Sequence, residues 1–141
     1  MITNNYKTYI GLDVGERRIG VARINEMVAI AEPLELIETA RDDDVKSIQK
    51  LIETHLADGL VVGLPRGLDG QDTDQTRYCR DYALKIKNEI SIPVFLIDEA
   101  GTSIEARQRL VKNSSISVDS IAASIILEDF VGHRNKAELE V

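Results

Sequence analysis

Residues 9–15 read Tyr-Ile-Gly-Leu-Asp-Val-Gly, an apolar run that carries a single carboxylate, Asp13. The alternation predicts a β-strand in which Ile10, Leu12 and Val14 share one face while Asp13 lies on the other. Desolvating an ionised carboxylate in a core strand is costly unless a cation or hydrogen bonds compensate it. The run therefore predicts either a cation bound at Asp13 or a polar strand end just before a turn, and both interpretations remain open.

Composition narrows the class of protein. The chain has 141 residues, of which 43% are apolar, and this predicts a single domain over 1–141 with a core from about 7 to 131 and a polar tail over 132–141. The one cysteine, Cys79, excludes an internal disulfide and fits a reducing cytoplasm. No apolar run is long enough to span a bilayer. We expect a soluble cytoplasmic protein without a membrane partner.

The formal net charge of −7 excludes a generally basic surface that coats nucleic acid. Phosphate binding depends mainly on lysine and arginine side chains that displace counterions. Any contact with nucleic acid must therefore be local or mediated by a metal ion.

The periodicity of apolar residues predicts the order of the elements. Patterns of period two indicate three strands, over 9–14, 19–24 and 27–37; Pro33 in the third favours a sheet edge or a bulge, because proline has no N–H to donate. Patterns of period 3.6 and continuous apolar runs then alternate. They predict a helix from 42 to 56, a strand over 60–64 ended by Pro65, a helix around 79–90, a strand over 93–97, a helix capped by Thr102 and a last helix from about 118.

Three acids stand at comparable places in these elements: Asp13 in the first strand, Glu99 after the last strand, and Asp119 in the first turn of the last helix. Carboxylate oxygens suit hard divalent cations, and two such metals can promote hydrolysis of a phosphodiester. Each acid also has a structural explanation, as a strand end, a loop start and a complement to the helix dipole respectively. Only their convergence would indicate an active site.

The order of elements predicts an α/β fold of the ribonuclease H-like kind, a mixed five-stranded sheet flanked by helices. The sequence also resembles the YqgF family, Holliday junction resolvase-like proteins regarded as nucleases that mature the 5′ end of 16S ribosomal RNA. The resemblance covers about Tyr9 to Val131 and rests on four segments: residues 13–22, residues 62–65 with 69–70, residues 98–99 before 102–103, and residues 118–123.

The resemblance implies a set of functional residues. The catalytic acids, which bind Mg²⁺ or Mn²⁺, would be Asp13, Glu99 and Asp119. The substrate-binding residues would be Arg18, Arg17 and Thr102. The guanidinium of Arg18 would meet substrate phosphate, although a solvated turn arginine explains Arg18 equally well, and Arg17 is not separable from it. The implied partner is nucleic acid, as structured RNA or junction DNA, bound by a monomer or a homodimer.

One residue departs from the family pattern, which usually has arginine directly after the glutamate where this chain has Ala100. Loss of one electrostatic stabiliser can weaken catalysis substantially. Arg107 or Arg109 could replace the missing cation. Besides a metal-dependent nuclease, the sequence therefore allows a module that binds nucleic acid or protein without cleavage. An ATP-using protein of the actin and sugar-kinase type is a third hypothesis, which the short chain disfavours.

Overall fold

The computed structural model of the protein describes residues 5–100, 116–132 and 139–141. Within these ranges, six strands form one mixed sheet: β1 (Thr8–Val14), β2 (Arg18–Asn25), β3 (Glu32–Glu38), β4 (Gly59–Arg66), β5 (Val94–Ala100) and β6 (Leu139–Glu140). The described helices are α1 (Asp44–His55), α2 (Asp74–Lys87) and α3 (Val118–Gly132). None of these helices is both long and apolar enough to cross a membrane.

The sheet has the strand order β3-β2-β1-β4-β5-β6. The first three strands form an antiparallel meander, β4 and β5 run parallel to β1, and β6 is antiparallel to β5. Because β1 and β4 are covered on both faces, their residues are almost all buried, as expected of central strands in an α/β sheet. The predicted mixed five-stranded sheet is confirmed, with β6 as an addition.

The core consists of two apolar layers. On one face of the sheet, α1 and α2 pack through side chains that include Ile48, Cys79 and Ile86. On the other face, α3 packs through a second cluster that includes Ile126 and Phe130. Alternate residues of each central strand therefore contribute to different layers.

The two-residue strand β6 lies in the segment predicted to be a polar tail. Leu139 and Glu140 pair with Leu96 and Phe95, and the backbone N–H of Val141 donates to the carbonyl of Val94 at 2.9 Å. The prediction was wrong for these residues, because their pairing satisfies backbone groups of β5, the outermost parallel strand.

Strand β3 begins at Glu32, five residues later than predicted. The preceding residues form a turn in which the side chain of Asn25 accepts the N–H of Met27 and Ala29 has a left-handed backbone, with φ 60°. The prediction that Pro33 lies in an edge strand is confirmed. The irregularity in register falls opposite Ile19 to Val21 and not at the proline.

Strand β4 extends beyond its predicted end and continues through Pro65 to Arg66, whereas β5 continues only one residue beyond the paired acids Asp98 and Glu99, to Ala100. Pro65 pairs with Glu99 of β5 and lies beyond Val62, the last residue of β4 that pairs with β1, while its carbonyl accepts the Thr76 hydroxyl near the start of α2. The helix predicted to begin at Thr102 lies outside the described residues.

Candidate active site

The carboxyl ends of three parallel strands define one edge of the sheet. Asp13 is the next-to-last residue of β1, and Glu99 is the next-to-last residue of β5. Since alternate residues share a face, Asp13 lies on the side of Tyr9 and Glu99 on the side of Ile97, and both of these apolar residues pack in the layer under α3. Two of the three predicted acids therefore belong to the same edge and the same face.

The third acid reaches this edge because α3 begins directly over β2. Asp13 pairs with Gly20 across the β1–β2 ladder. A Cβ atom at Gly20 would lie only 1.9 Å from the carbonyl oxygen of Asp119, so the helix approaches the strand as closely as a glycine allows. The first turn of α3 is thus seated beside the strand pair that holds Asp13.

Ser120 fastens this turn to the sheet. Its side chain is fully buried; the hydroxyl donates to the carbonyl of Leu34 in β3 at 2.7 Å and accepts the N–H of Val21 in β2 at 3.3 Å. Both partners lie at the irregular register between β2 and β3, where a regular ladder would otherwise bond them to each other. Ser120 therefore sets the position of its neighbour Asp119.

The electrostatics of the site reflect this proximity. Burial, together with the nearby negative charge of Asp119, raises the pKa of Asp13 from its usual 3.8 to about 6. The guanidinium of Arg18 lies 3.3 Å from a carboxylate oxygen of Asp119 and keeps 61% of its side chain exposed. The site thus contains two mutually repelling carboxylates and one accessible cation.

Glu99 lies farther along the edge. It is 5% exposed and sits two strands from Asp13, beyond β4. The register aligns Leu12 with Val62 and Val62 with Leu96, so Glu99 is also displaced along the strand direction relative to Asp13. Across the described part of the chain, no group of three or more acidic, histidine or cysteine side chains is close enough to hold a metal ion. The structure thus brings Asp13 and Asp119 together without assembling all three acids.

The turn between β1 and β2 presents Arg17 and Arg18. The N–H of Gly15 donates to the carbonyl of Arg18 at 3.1 Å, while the hydroxyl of Thr39 donates to the carbonyls of Glu16 and Arg17. Because the backbone of the turn is fixed by these bonds, the exposed side chain of Arg18 has a defined place beside Asp119, while Arg17 is exposed next to it in the same turn. Thr102, the other predicted substrate-binding residue, lies outside the described residues, as do Arg107 and Arg109.

A network of ion pairs lies at the end of β4, and no pattern in the sequence predicted it. Arg66 bridges Asp72 and Asp98, and Arg80 binds the same Asp72 at 2.9 Å. The backbone of Arg66 pairs with that of Ala100, where the family pattern has arginine. Its guanidinium is committed to these acids and does not supply the missing cation. Spacing gives no signal for this network, because its members come from two strands, a loop and a helix.

The end of β1 is also held by α2, which packs on the face of the sheet opposite to α3. The side-chain amide of Gln75 donates to the carbonyl of Val14 at 2.9 Å, and the thiol of Cys79 donates to the same carbonyl at 3.5 Å. Cys79 is 1% exposed, which confirms the prediction of a core residue. These contacts hold the strand end that carries Asp13 against α2.

The fold defines the class of the protein, which is that of the ribonuclease H-like folds. The structure resembles that of RuvC from T. thermophilus, solved in complex with a Holliday junction substrate, with a TM-score of 0.57 at 13% identity over 95% of this chain and 99% of that one. A family model described as "RuvX: Holliday junction resolvase" matches residues 7–133. The chain belongs to this family, as the resemblance in its sequence predicted.

Curated relatives agree with this assignment. Proteins from Orientia tsutsugamushi and from Fusobacterium nucleatum are both named "Putative pre-16S rRNA nuclease". Each is 38% identical to this chain; the first alignment covers 86% of this chain and 82% of the relative, and the second covers 89% and 96%. The range that the family model matches, residues 7–133, includes every described element that carries a candidate site residue.

Proposed function

We propose that the protein is a metal-dependent nuclease that hydrolyses phosphodiester bonds of a structured nucleic acid in the cytoplasm, with the 5′ end of 16S rRNA precursor as its substrate. The observation that carries the proposal is the approach of Asp119 to Asp13 beside the accessible guanidinium of Arg18. The family description and the names of the relatives support the same activity.

The donor set at this edge fits a hard divalent cation. Asp13 and Asp119 are close enough for the charge of one to raise the pKa of the other, and a cation between them would relieve that repulsion. We therefore assign Mg²⁺ or Mn²⁺ to Asp13 and Asp119, with Glu99 as a further ligand once substrate is bound. Such an ion supplies Lewis acidity, which activates a water molecule and offsets charge on the phosphate.

The protein residues would divide the remaining work. Arg18 can turn from Asp119 to a substrate phosphate, because a guanidinium can donate two parallel hydrogen bonds to either group and this side chain is largely exposed. Ser120 and Gly20 would keep Asp119 in place, so that the carboxylate does not have to be ordered during the reaction. Glu99, buried at the end of β5, would limit the access of bulk water to that side of the site.

The test is cleavage of end-labelled 16S precursor RNA and of a four-way DNA junction, each with Mg²⁺, with Mn²⁺ and with EDTA. We expect metal-dependent cleavage that Asp13→Asn abolishes while the fold is preserved. Asp81→Asn, a neutralised acid on the exposed side of α2, is the matched control and should cleave like the native chain. Cleavage at the native rate by Asp13→Asn would overturn the assignment.

A second candidate function is binding without turnover. Two observations favour it: Ala100 occupies the position of the expected arginine, and the described residues contain no assembled three-acid group. It predicts that the native chain binds these substrates without cleaving them in any metal, and that Ala100→Arg gains cleavage. Robust native cleavage would exclude it.

A further inference from the structure

We propose that Leu68, at the tip of the loop over residues 67–72, contacts the face of an unpaired base in the bound nucleic acid. The inference rests on the proposed function, since it concerns the substrate of the same sheet edge. It adds a specificity element to the site, because a contact of this kind would favour substrates with an unstacked nucleotide near the cleaved bond.

The first observation is that Leu68 is exposed on an ordered loop. Its exposed fraction is 86%, the largest of any large apolar side chain in the described part of the protein. The loop is closed by hydrogen bonds from Gly67 N–H to the Gln71 carbonyl and from Gly70 N–H to the Gly67 carbonyl, both 2.9 Å. The Gln71 side chain also accepts the N–H of Asp69 at 2.9 Å. Leu68 is therefore held exposed by a loop whose backbone is fixed by hydrogen bonds.

The second observation is that both ends of the loop are anchored. Arg66, immediately before the loop, binds Asp98 at 2.8 Å, and Asp72, its last residue, binds both Arg66 and Arg80. A contact made by the tip would consequently lose little conformational entropy on binding, which favours affinity. The ion pair with Asp98 holds the loop to β5, directly before Glu99 in the sequence.

The third observation is the position of the loop. It follows β4, the strand between those of Asp13 and Glu99, and leaves the sheet at the edge where both acids lie. Gln75, three residues after the loop, donates to the carbonyl of Val14 at 2.9 Å and so ties this region to the end of β1. The base of the loop therefore lies beside the strand ends that carry both acids.

Charge decides which part of a nucleic acid the tip would meet. The arginines around the loop are engaged by acids: Arg66 by Asp72 and Asp98, Arg80 by Asp72, and Arg77 by Asp74. Asp69 adds a further negative charge. A surface without spare positive charge is a poor phosphate site. Bases present apolar faces when they are unpaired, and such faces are recognised by apolar and aromatic side chains in proteins that bind single strands. We therefore assign Leu68 to a base and not to the backbone.

A tryptophan reporter tests the contact directly. The native chain has no tryptophan, so Leu68→Trp introduces a single one. The matched control is Leu56→Trp: Leu56 is 81% exposed and precedes β4, at the opposite edge of the sheet. Both are made in the Asp13→Asn background to prevent cleavage and are checked for folding by circular dichroism. The probes are an RNA hairpin with an unpaired extension and a fully paired hairpin of equal length.

We expect the hairpin with unpaired bases to quench the fluorescence of Trp at 68 and the paired hairpin to do so far less, whereas the Leu56→Trp signal stays unchanged. With Leu68→Ala, the dissociation constant for the unpaired substrate should rise roughly five- to thirty-fold relative to Leu56→Ala, as expected for loss of a covered apolar side chain. The salt dependence should be unchanged by Leu68→Ala, whereas loss of one phosphate contact by Arg17→Ala should lower its slope by about 1.

Equal binding by Leu68→Ala and Leu56→Ala would overturn the inference, and so would quenching that does not distinguish unpaired from paired RNA. The same results are expected if the tip of the loop binds a protein and not a base. Failure of the native chain to bind either RNA would instead overturn the proposed function itself, so the two failures are distinguishable.

Discussion

The carbonyl oxygen of Asp119 occupies the space beside Gly20 in which any other residue would place its Cβ. Gly20 in turn pairs with Asp13, so a single strand position links the two closest acids of the site. The contact joins backbone to backbone and cannot be relieved by rotating a side chain. Its geometry accordingly depends on the identity of residue 20.

Gly20→Ala should therefore displace the first turn of α3 and destabilise the protein. We expect a loss of roughly 1–3 kcal/mol, as for overpacking in a core, measured by urea unfolding. Gly132→Ala, at the end of the same helix, is the control, because an added Cβ there meets nothing within 4 Å. If both variants were equally stable, the close approach would not constrain α3.

Asp13→Asn should stabilise the fold at neutral pH. The folded-state pKa of Asp13 is raised from 3.8 to about 6, so the unfolded chain releases the proton first and native stability falls as pH rises from about 4 to 6. Because asparagine does not ionise, the stability of the Asp13→Asn variant should not fall in this way. We expect its unfolding free energy in EDTA to exceed that of the native chain by about 2–3 kcal/mol at pH 7, with no difference below pH 3.5.

The same pair of proteins reports on metal binding without an activity assay. Mg²⁺ or Mn²⁺ should raise the melting temperature of the native chain and leave that of Asp13→Asn unchanged, because a ligand stabilises only the state that binds it. Asp81→Asn should respond like the native chain. A metal-induced shift of equal size in Asp13→Asn would remove Asp13 from the metal site.

Arg18→Ala should lower cleavage with little effect on stability. The Arg18–Asp119 pair is largely solvent-exposed and should contribute at most about 1 kcal/mol to folding, whereas loss of a phosphate contact in the transition state reduces the rate by about ten-fold or more. Arg23→Ala is a close control: Arg23 lies on the same strand and pairs with Glu32 at 4.0 Å, away from the acids. Equal cleavage rates in the two variants would assign Arg18 a structural role only.

Cys79 should be inert towards thiol reagents in the native state. Burial, with a smaller contribution from the charge of Asp13, raises the pKa of its thiol to about 12, and only the thiolate reacts. Iodoacetamide at pH 8 should label the thiol slowly in buffer and rapidly in denaturant, as followed by mass spectrometry. Fast labelling of the native protein would show that the layer between β1 and α2 opens readily.

The sequence predicted those elements whose patterns are local. The alternation around Asp13 and the continuous apolar run of β4 identified strands, because burial on one or both faces leaves a direct imprint on residue choice. Strand ends were less predictable: Pro65 was expected to end β4, yet the strand continues to Arg66 because its last residues pair with β5. Such pairing joins residues that are distant in the sequence and has no local pattern.

The three acids were predicted from their positions in the elements and from the family resemblance, whereas the residues that support them were not. Ser120 reaches Val21 across 99 residues of sequence, and no spacing rule connects the two. The distance between Asp13 and Glu99 was not predictable either: β4 lies between their strands, and a linear motif carries no information on distance across a sheet.

The seat of α3 has a further consequence for how this site can vary. Gly11, Gly20 and Gly63 belong to three strands, and a Cβ at any of them would collide with the helix. The distance between α3 and the sheet, and with it the distance between Asp119 and the sheet, is thus possible because these positions have no Cβ atom. At Gly11 and Gly63 the added Cβ would meet the side chains of Leu127 and Ile126, whereas at Gly20 it would meet the backbone of Asp119 itself, so a single methyl group at Gly20 would alter the spacing of the carboxylates.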